Sequence, residues 1–364
     1  MKKILLAFGT RPEAIKMCPL ARELARRGAA VWVCVSGQHR ELLTRAMADF
    51  GVKPDRNLRV MKKGATLGEL TARILTRAEK LLRRERPDAV LVHGDTATTL
   101  ATAMAAFYAR VPLGHVEAGL RTYRMDSPFP EEYNRRAVAL TAKWHFAPTE
   151  AAKENLLREG IAEGSIFVTG NTGIDALAYT VRADFRHPLL AAAEGKRLLL
   201  LTVHRRENHG PPLARILRGV RRVLDARPDL FLVCPVHPAP AAREAVQKVL
   251  GGHPCVALTP PFDTVAFHNL MARATLILTD SGGIQEEAAA LHIPTLVLRE
   301  CTERPEALAT GALRLAGTSE KGVFESTLAL LDDPEALAAM RAAENPYGDG
   351  RAAARIADAL LRAL

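Results

Sequence analysis

The sequence predicts an α/β protein built from two doubly wound domains, each with a parallel β-sheet. Short, continuously apolar runs alternate with amphipathic segments, and this alternation occurs in two successive blocks. Continuously apolar strands separated by helices are typical of parallel sheets that are covered on both faces. The length of 364 residues also fits two domains of roughly 150 residues each.

Short apolar runs predict the strands of these two sheets. In chain order the runs are Ile4–Phe8, Val31–Val35, Ala89–His93, Leu113–Val116, Leu198–Val203, Leu230–Cys234, Leu276–Leu278 and Thr295–Leu298. Amphipathic segments such as Ala14–Arg27 and Leu67–Arg84 predict the helices between them. We place the break between the blocks near Gly170-Asn171, ahead of an irregular, proline-containing stretch at 182–196.

Composition and charge exclude several classes of protein. Apolar residues make up 48% of the chain and charged residues 25%, which is ordinary for a globular protein with a core. No apolar run approaches the roughly 18 residues of a membrane helix, and the apolar start of the chain ends at Gly9, too early for a signal peptide. The five cysteines show no C-x-x-C spacing, so we expect reduced thiols in a cytoplasmic protein.

The net charge of +10 raises the question of nucleic-acid binding. The arginines are spread along amphipathic helices, and no basic tract is interleaved with aromatic residues. We therefore expect solvated helix faces and an anionic substrate, with neither a nucleic acid nor a membrane as partner.

The most informative stretch is Asp280-Ser281-Gly282-Gly283, which follows a predicted strand and opens a predicted helix. The first N–H groups of a helix have no partner within it, and together with the helix dipole they form an anion site. Glycine lets the backbone approach a phosphate closely. Glu287, about one turn into the helix, could accept hydrogen bonds from a ribose diol. The alternative is that Asp280 or Ser281 only caps the helix.

Polar residues also follow the predicted strands of the first block. Arg11 precedes a proline at a helix start, and Lys16 lies further along the same helix, so both could bind phosphate. Asp95, Glu117 and Glu131 come from three connections that we expect at one rim, because ligands bind beyond the carboxyl ends of parallel strands. Each alone would more often be a cap or a surface charge. Crowded together, such carboxylates have raised pKa values and suit acid–base chemistry.

The second block supplies groups suited to anions. His204 and Arg205 follow one strand and fit a diphosphate, His237 follows the next, and Arg304 follows the last. Phe262 could equally pack in the core or stack on a base. The G-x-G-x-x-G and G-x-x-x-x-G-K-[ST] patterns are absent, which argues against nicotinamide chemistry and ATP hydrolysis. We therefore predict a nucleotide-linked substrate with its nucleotide on the second domain.

Several motifs, taken together, carry a resemblance to a known family. They are G-T-R-P-E-A-I-K-M at 9–17, H-G-D-T at 93–96, H-V-E-A-G-L-R-T at 115–122, P-E-E at 130–132, T-G-N-T at 169–172, H-R-R-E-N at 204–208, D-S-G-G-I-Q-E-E at 280–287, T-E-R-P-E at 302–306 and N-P-Y-G-D-G at 345–350. Over essentially its whole length the chain closely resembles the non-hydrolysing bacterial UDP-N-acetylglucosamine 2-epimerases. The resemblance implies two Rossmann-like domains of the glycosyltransferase-B type with an interdomain cleft. Residues 1–170 with 351–364 would form one domain and 171–350 the other, and the C-terminal helix at Arg351–Leu364 would cross back onto the first.

The resemblance also implies an activity and its residues. Family members interconvert UDP-GlcNAc and UDP-ManNAc by eliminating UDP to 2-acetamidoglucal and adding it back, as homodimers that serve surface polysaccharide synthesis, without a metal or another cofactor. The matching catalytic positions are Asp95, Glu117, Glu131 and His204. The matching positions for UDP are Arg11, Lys16, Arg205, His237, Phe262, Ser281, Gly282, Gly283, Glu287 and Arg304. The choice of base stays open, with Glu117 preferred.

Many bacterial members of this family bind a second UDP-GlcNAc beside the active site as an activator. The matching positions are Gln38, Glu131, Arg205 and His237. Glu41 and Gly64 depart from the residues that some members have there. These departures bear on the affinity for the activator and not on catalysis.

Three other functions fit parts of the same pattern. A hydrolysing epimerase would release ManNAc and UDP from the same intermediate. A glycosyltransferase could share the two-domain architecture, because a fold alone does not fix function. A non-catalytic nucleotide-sugar sensor would keep the binding groups but would not need the complete set of carboxylates.

Overall fold

The computed structural model describes residues 1–37, 40–62, 64–205, 208, 210–302 and 304–364, with the backbone alone at 40–42. Contacts divide the chain into two compact units. The first consists of Met1–Tyr179 with Tyr347–Leu364, and the second of Thr180–Pro346. The predicted division at 170 and 171 is nine residues earlier than this one, which leaves the helix Thr172–Thr180 almost entirely with the first unit.

The first unit is a parallel sheet with helices. Its strands are β1 (Lys3–Phe8), β2 (Ala30–Val35), β3 (Arg56–Asn57), β4 (Ala89–His93), β5 (Leu113–Val116), β6 (Trp144–Ala147) and β7 (Ile166–Val168). Its helices are α1 (Arg11–Arg26), α2 (Arg40–Asp49), α3 (Leu67–Glu85), α4 (Ala97–Ala109), α5 (Glu131–Ala139), α6 (Glu150–Arg158) and α7 (Thr172–Thr180), with a 3₁₀ turn at Glu163–Ser165. The described strands lie in the order β3-β2-β1-β4-β5-β6-β7.

The second unit repeats this plan with a second parallel sheet. Its strands are β8 (Arg197–Thr202), β9 (Leu230–Pro235), β10 (Val256–Thr259), β11 (Leu276–Thr279), β12 (Thr295–Val297) and β13 (Leu313–Leu315). Its helices are α8 (Pro188–Ala192), α9 (Pro211–Ala226), α10 (Pro240–Leu250), α11 (Thr264–Met271), α12 (Gly282–Ala290), α13 (Pro305–Ala309), α14 (Glu320–Leu331) and α15 (Pro334–Ala342). The described strands lie in the order β10-β9-β8-β11-β12-β13.

The predicted fold class of two doubly wound domains is confirmed, and each predicted apolar run forms a strand. The strands that the sequence did not reveal are β3, β6, β7, β10 and β13. Apart from β6, these strands form the edges of the two sheets. Edge strands here are short and mostly only partly buried, so their apolar runs, such as Ile166–Val168 in β7, are brief and give a weaker signal than those of most central strands.

The strand order reverses direction at one place in each sheet, between β1 and β4 and between β8 and β11. Ligands of doubly wound sheets bind beyond the carboxyl ends of the strands at such a reversal. The segments that follow these four strands are therefore where a ligand is expected in each unit.

The C-terminal helix α16 (Ala352–Ala363) returns to the first unit, as predicted. Its fully buried Ile356 and Leu360 share a hydrophobic cluster with Met17 and Leu20 of α1. Burial of such side chains contributes about 1.5–3 kcal/mol each. Among the described residues, no helix combines the length and the apolarity that crossing a membrane requires.

Asp175 in α7 caps the start of α16. Its carboxylate accepts backbone hydrogen bonds from Ala352 at 3.1 Å and from Ala353 at 2.8 Å. Burial raises the pKa of Asp175 from 3.8 to about 6, although both hydrogen bonds favour the charged form. The folded protein therefore holds this proton at a pH where the unfolded chain releases it.

We expect the free energy of unfolding to fall as the pH rises from about 4 to about 6. Over this range the unfolded chain releases the Asp175 proton, whereas the folded protein still binds it. A rise of about two pH units, at about 1.4 kcal/mol for each, gives roughly 3 kcal/mol. Asp175→Asn should remove this part of the pH dependence in urea titrations. An identical pH profile in the variant and the wild type would contradict the assignment.

Candidate active site

The turn after β1 is tied to the turn after β4 by Glu13. One oxygen of its buried carboxylate accepts hydrogen bonds from the backbone of Gly9 at 3.0 Å and of Thr10 at 2.8 Å. The other accepts one from the Thr96 hydroxyl at 2.8 Å. Glu13 thus joins the turn after β1 to the turn after β4, the two neighbouring strands at which the strand order of the first sheet reverses. It was not among the predicted residues, although its T-x-x-E spacing is that of a capping box.

Arg11 and Lys16 both lie on α1, as predicted. Arg11 is the first helical residue and is half-buried. The Lys16 ammonium forms an ion pair with the Glu117 carboxylate, which follows β5. The structure therefore brings a predicted phosphate ligand against a predicted catalytic carboxylate.

Glu117 stands in a strained and highly charged position. Its φ of 63° lies in the left-handed region, which a non-glycine residue keeps only when its surroundings enforce it. Besides Lys16, the buried His93 at the end of β4 places Nε2 3.5 Å from a Glu117 oxygen. Burial would raise the pKa of Glu117, but the Lys16 ammonium and the neighbouring His93 ring hold it well below the usual range.

This pKa corrects one expectation from the sequence. Crowded carboxylates were expected to raise one another's pKa, whereas Glu117 faces two basic groups and its pKa is lowered. The sequence could not reveal this, since Lys16 and His93 approach Glu117 from two other elements, α1 and β4. Glu117 is therefore ionised at neutral pH in the ligand-free protein.

Asp95 follows β4 and is held by α5. Its carboxylate pairs with Arg135, and its backbone carbonyl accepts a hydrogen bond from the Asn134 amide at 2.7 Å. Glu131 begins the same helix, one turn before Arg135, so the two lie on one face of α5. The structure thus links Asp95 and Glu131 through one short helix.

The segments that carry Asp95 and Glu117 are neighbours. A Cβ built on Gly94 would lie 3.5 Å from Oε1 of Glu117. The buried His115 donates a hydrogen bond from Nε2 to the Gly94 carbonyl at 2.7 Å. Burial lowers the pKa of His115 to about 3, so this donor is a neutral ring that does not titrate near pH 7. His115, like His93, was quoted within a motif but given no role by the sequence.

The backbone after Glu117 packs closely against α6. Gly119 has a φ of 89°, and a Cβ added there would lie 2.2 Å from the Ala152 carbonyl oxygen. The Asn155 amide donates a hydrogen bond to the Gly119 carbonyl at 3.0 Å. Only glycine fits this close approach, which fixes the course of the chain beyond Glu117.

We expect Gly119→Ala to lower the free energy of unfolding by roughly 3 kcal/mol or more, because the methyl group displaces the α6 backbone. Gly160→Ala is the matched control, since Gly160 has a similar φ of 82° with nothing within 4 Å of an added Cβ. That variant should lose only about 1–2 kcal/mol from the left-handed backbone. Equal losses in urea titrations of the two variants would show that the close approach is unimportant.

In the second unit, two arginines converge on the start of α12. A Cβ on Gly282 would lie 3.4 Å from a terminal nitrogen of Arg205 and 3.3 Å from one of Arg304. Ser281 is the N-cap residue, but its side chain makes no capping hydrogen bond. The interpretation of Ser281 as a simple helix cap is therefore wrong. A helix start with two guanidinium groups beside it is suited to a phosphate group.

Asp280 does not cap α12 either. Its fully buried carboxylate accepts hydrogen bonds from the backbone N–H of His204 at 3.1 Å and of Arg205 at 2.9 Å. A third comes from the Asn208 amide at 2.9 Å. Asp280 thereby fixes the connection after β8 on the start of α12, and with it the position of His204.

Three further predicted residues belong to the second unit. Glu287 on α12 has one carboxylate oxygen 3.6 Å from Nε2 of the buried His268. Phe262 packs against a hydrophobic cluster and meets the His187 ring edge to face at 5.8 Å between centroids. This contact favours core packing for Phe262 over an open stacking surface. His237, after β9, accepts a hydrogen bond from the Ala239 backbone at 3.2 Å.

Gly283, the second residue of α12, has nothing within 4 Å of an added Cβ. Gly283→Ala should therefore keep or raise stability by up to about 1 kcal/mol while weakening UDP binding at least roughly tenfold, because the methyl group occupies the space of a phosphate. Calorimetric titration and thermal unfolding measure the two effects. Gly68→Ala is the control, at the second position of α3 and equally open. Unchanged UDP affinity in Gly283→Ala would contradict this phosphate position.

The predicted activator site is only partly covered by the structure. Gln38 lies outside the described residues, and so does the side chain of Glu41. Gly64 is described and has a φ of 74° with open space around it. The activator stays a prediction. Among the described residues, no group of three or more His, Cys, Asp or Glu side chains is placed to hold a metal ion.

The fold defines a class of protein: two Rossmann-like domains of the glycosyltransferase-B type. The sequence model of the UDP-N-acetylglucosamine 2-epimerase family matches residues 22–361. The chain belongs to this family.

Individual relatives cover the whole chain. The UDP-N-acetylglucosamine 2-epimerase of Bacillus subtilis strain 168 is 48% identical over 360 residues, 99% of this chain and 95% of that protein. The solved structure of S. aureus MnaA with UDP superposes with a TM-score of 0.93 at 46% identity, covering 99% and 96% of the two chains. That of the Neisseria meningitidis UDP-GlcNAc 2-epimerase bound to UDP-GlcNAc gives 0.92 at 42% identity, covering 100% of both.

Proposed function

We propose that this chain is a non-hydrolysing UDP-GlcNAc 2-epimerase, which interconverts UDP-GlcNAc and UDP-ManNAc at C2 of the sugar. Family membership supports the substrate, since solved relatives are complexes with UDP and with UDP-GlcNAc. The observation that carries the chemistry is the buried Glu117, which Lys16 and His93 keep ionised. An ionised carboxylate has no proton of its own, so Glu117 can accept one once a change in its surroundings raises its pKa.

The C2 proton of the sugar is not acidic, so the reaction proceeds by elimination. A base takes the C2 proton, the C2–H electron pair forms the C1–C2 double bond, and the C1–O bond breaks. The electron pair of that bond leaves on the β-phosphate oxygen, which gives 2-acetamidoglucal and UDP. Addition of UDP with protonation of C2 on the opposite face gives the epimer. The enzyme must exclude water while the intermediate is bound.

Glu117 is our choice of base, and its pairing with Lys16 gives a way to control it. While the ammonium holds the carboxylate, its low pKa makes it a weak base. A diphosphate that attracts Lys16 would remove this partner, so the pKa of Glu117 would rise towards neutrality in the desolvated site. Asp95, Glu131 and His204 would then serve the other proton transfers and the developing charge.

The second unit would bind the nucleotide. Arg205, Arg304 and the start of α12 would hold the diphosphate, whose negative charge grows as the C1–O bond breaks. Glu287 would accept hydrogen bonds from the ribose. The resemblance adds a homodimer, a second UDP-GlcNAc as activator and a role in surface polysaccharide synthesis to this proposal.

A product analysis tests the proposal against its rivals. UDP-GlcNAc alone should give an equilibrium mixture with UDP-ManNAc, with no net release of UDP, when the reaction is followed by chromatography. Stoichiometric free ManNAc and UDP would indicate the hydrolysing reaction instead. Consumption only in the presence of an acceptor sugar would indicate a glycosyltransferase, and binding without turnover a sensor.

A further inference from the structure

Both carboxylate oxygens of Asp280 contact the connection after β8. Oδ2 accepts hydrogen bonds from the Arg205 backbone and the Asn208 side chain, each at 2.9 Å, and from the His204 backbone at 3.1 Å. Oδ1 lies 3.4 Å from Nδ1 of the His204 ring and 3.2 Å from the His204 backbone nitrogen. The carboxylate is fully buried, whereas the His204 side chain is 44% exposed. The ring therefore extends from a buried anion towards the surface of the second unit.

This contact favours one protonation pattern of His204. A carboxylate only accepts hydrogen bonds, so a hydrogen is favoured on Nδ1, the ring nitrogen that lies 3.4 Å from Oδ1. Proton exchange then takes place at Nε2. A buried carboxylate behind a histidine also stabilises the imidazolium that forms when Nε2 takes up a proton.

We propose that Asp280 and His204 form a carboxylate–histidine pair, in which Asp280 is the positioning residue and His204 the proton donor to the departing diphosphate. The inference rests on the proposed function, because the diphosphate departs in that elimination. As the C1–O bond breaks and its electron pair moves onto the β-phosphate oxygen, Nε2–H gives its proton to the diphosphate. The ring becomes neutral, with Nδ1–H still held by Asp280, and takes the proton back during re-addition.

The neighbouring charges make the carboxylate necessary. The side chains of Arg205 and Arg304 both lie beside Gly282 at the start of α12. Asp280 belongs to the turn that leads into this helix. The Arg304 guanidinium donates a hydrogen bond to the buried Glu286 carboxylate at 2.6 Å, whereas Arg205 directly follows His204 in the chain, and a guanidinium close to the ring disfavours a positive charge on it. The negative charge of Asp280 offsets this effect, so that the imidazolium can exist in the ligand-free site.

A double-mutant cycle tests whether Asp280 acts through His204. We would measure kcat and KM for UDP-GlcNAc with the wild type, Asp280→Asn, His204→Gln and the double variant. Asp280→Asn should lower kcat on the order of 10²-fold in the wild-type background but less than about threefold in the His204→Gln background, because the two residues act as a unit. Additive losses in kcat would overturn the proposal.

Two comparisons separate positioning of the ring from support of the loop. Asn208→Ala removes one hydrogen bond to Oδ2 and leaves the contact between Oδ1 and the His204 ring. Its effect on kcat should be below about tenfold and additive with His204→Gln. Asp333→Asn replaces an exposed helix-capping aspartate elsewhere in the unit and should leave kcat unchanged. Asn208→Ala could instead lower kcat as much as Asp280→Asn and be equally non-additive with His204→Gln. Asp280 would then act by holding the loop in place, and the carboxylate–histidine pair would be rejected.

The protonation pattern can be measured without turnover. Long-range ¹H–¹⁵N NMR spectra of the full-length wild type should show His204 with its hydrogen on Nδ1 when the ring is neutral. Asp280→Asn should shift the ring towards the Nε2–H form. An Nε2–H form in the wild type would overturn the pair even in an active enzyme. A wild type that has the Nδ1–H form but does not turn over UDP-GlcNAc would instead refute the proposed reaction.

Discussion

Glu117→Gln is expected to lower turnover of UDP-GlcNAc by roughly 10³-fold while UDP binding stays within a few-fold of the wild type. The amide has nearly the shape of the carboxylate but cannot accept the C2 proton, and loss of a general base costs about 10²–10⁴-fold. Lys16 loses its ion pair with Glu117 in this variant, so that pair no longer opposes its attraction to a diphosphate. The binding constant for UDP should therefore be unchanged or improved.

Initial rates and calorimetric titration with UDP separate the two effects. Glu163→Gln is a suitable control, because Glu163 pairs with Lys153 at the surface and is not near the candidate site residues in sequence. It should leave both constants unchanged. A Glu117→Gln enzyme with near-normal turnover would remove Glu117 from the proposed chemistry.

Asp95→Asn is expected to reduce turnover by roughly 10²-fold, as for a lost acid–base or charge-stabilising group. Arg135 would lose its ion pair with Asp95 and keep its longer contact with Glu132 at 3.6 Å. The backbone contact between Asn134 and Asp95 is retained, so the local fold should persist.

The matched control is Asp229→Asn, which breaks a similar but exposed pair with Arg197. Thermal unfolding of both variants establishes whether they are folded. If Asp95→Asn kept its stability and more than about half of the wild-type rate, Asp95 would have no part in proton transfer or charge stabilisation.

The sequence was sufficient where the signal is local. Central strands such as Ala89–His93 and Leu113–Val116 were predicted with their observed bounds, because buried parallel strands are continuously apolar. Because parallel strands end at the same edge of a sheet, the segments that follow these strands could then be predicted to lie at that edge. Edge strands such as β10 gave a weaker signal, because they are short and only partly buried.

The contacts of the site residues could not be predicted from the sequence. Lys16 and His93 reach Glu117 from elements far apart in the chain, and their charges reverse the pKa change expected from carboxylates alone. Asp280 resembled a helix cap in the sequence, whereas its oxygens serve the connection after β8. A capping pattern and a long-range contact use the same residue types, and only the fold distinguishes them.

Proton NMR of UDP-GlcNAc incubated with the purified protein in D₂O shows whether the C2–H bond is broken and re-formed. Reversible elimination predicts that UDP-ManNAc appears and that deuterium enters C2 of both epimers, since the abstracted proton exchanges with solvent before it returns. The Glu117→Gln variant should show neither change on the same time scale. Retention of hydrogen at C2, or a substrate that stays unchanged with the wild type, would contradict the account.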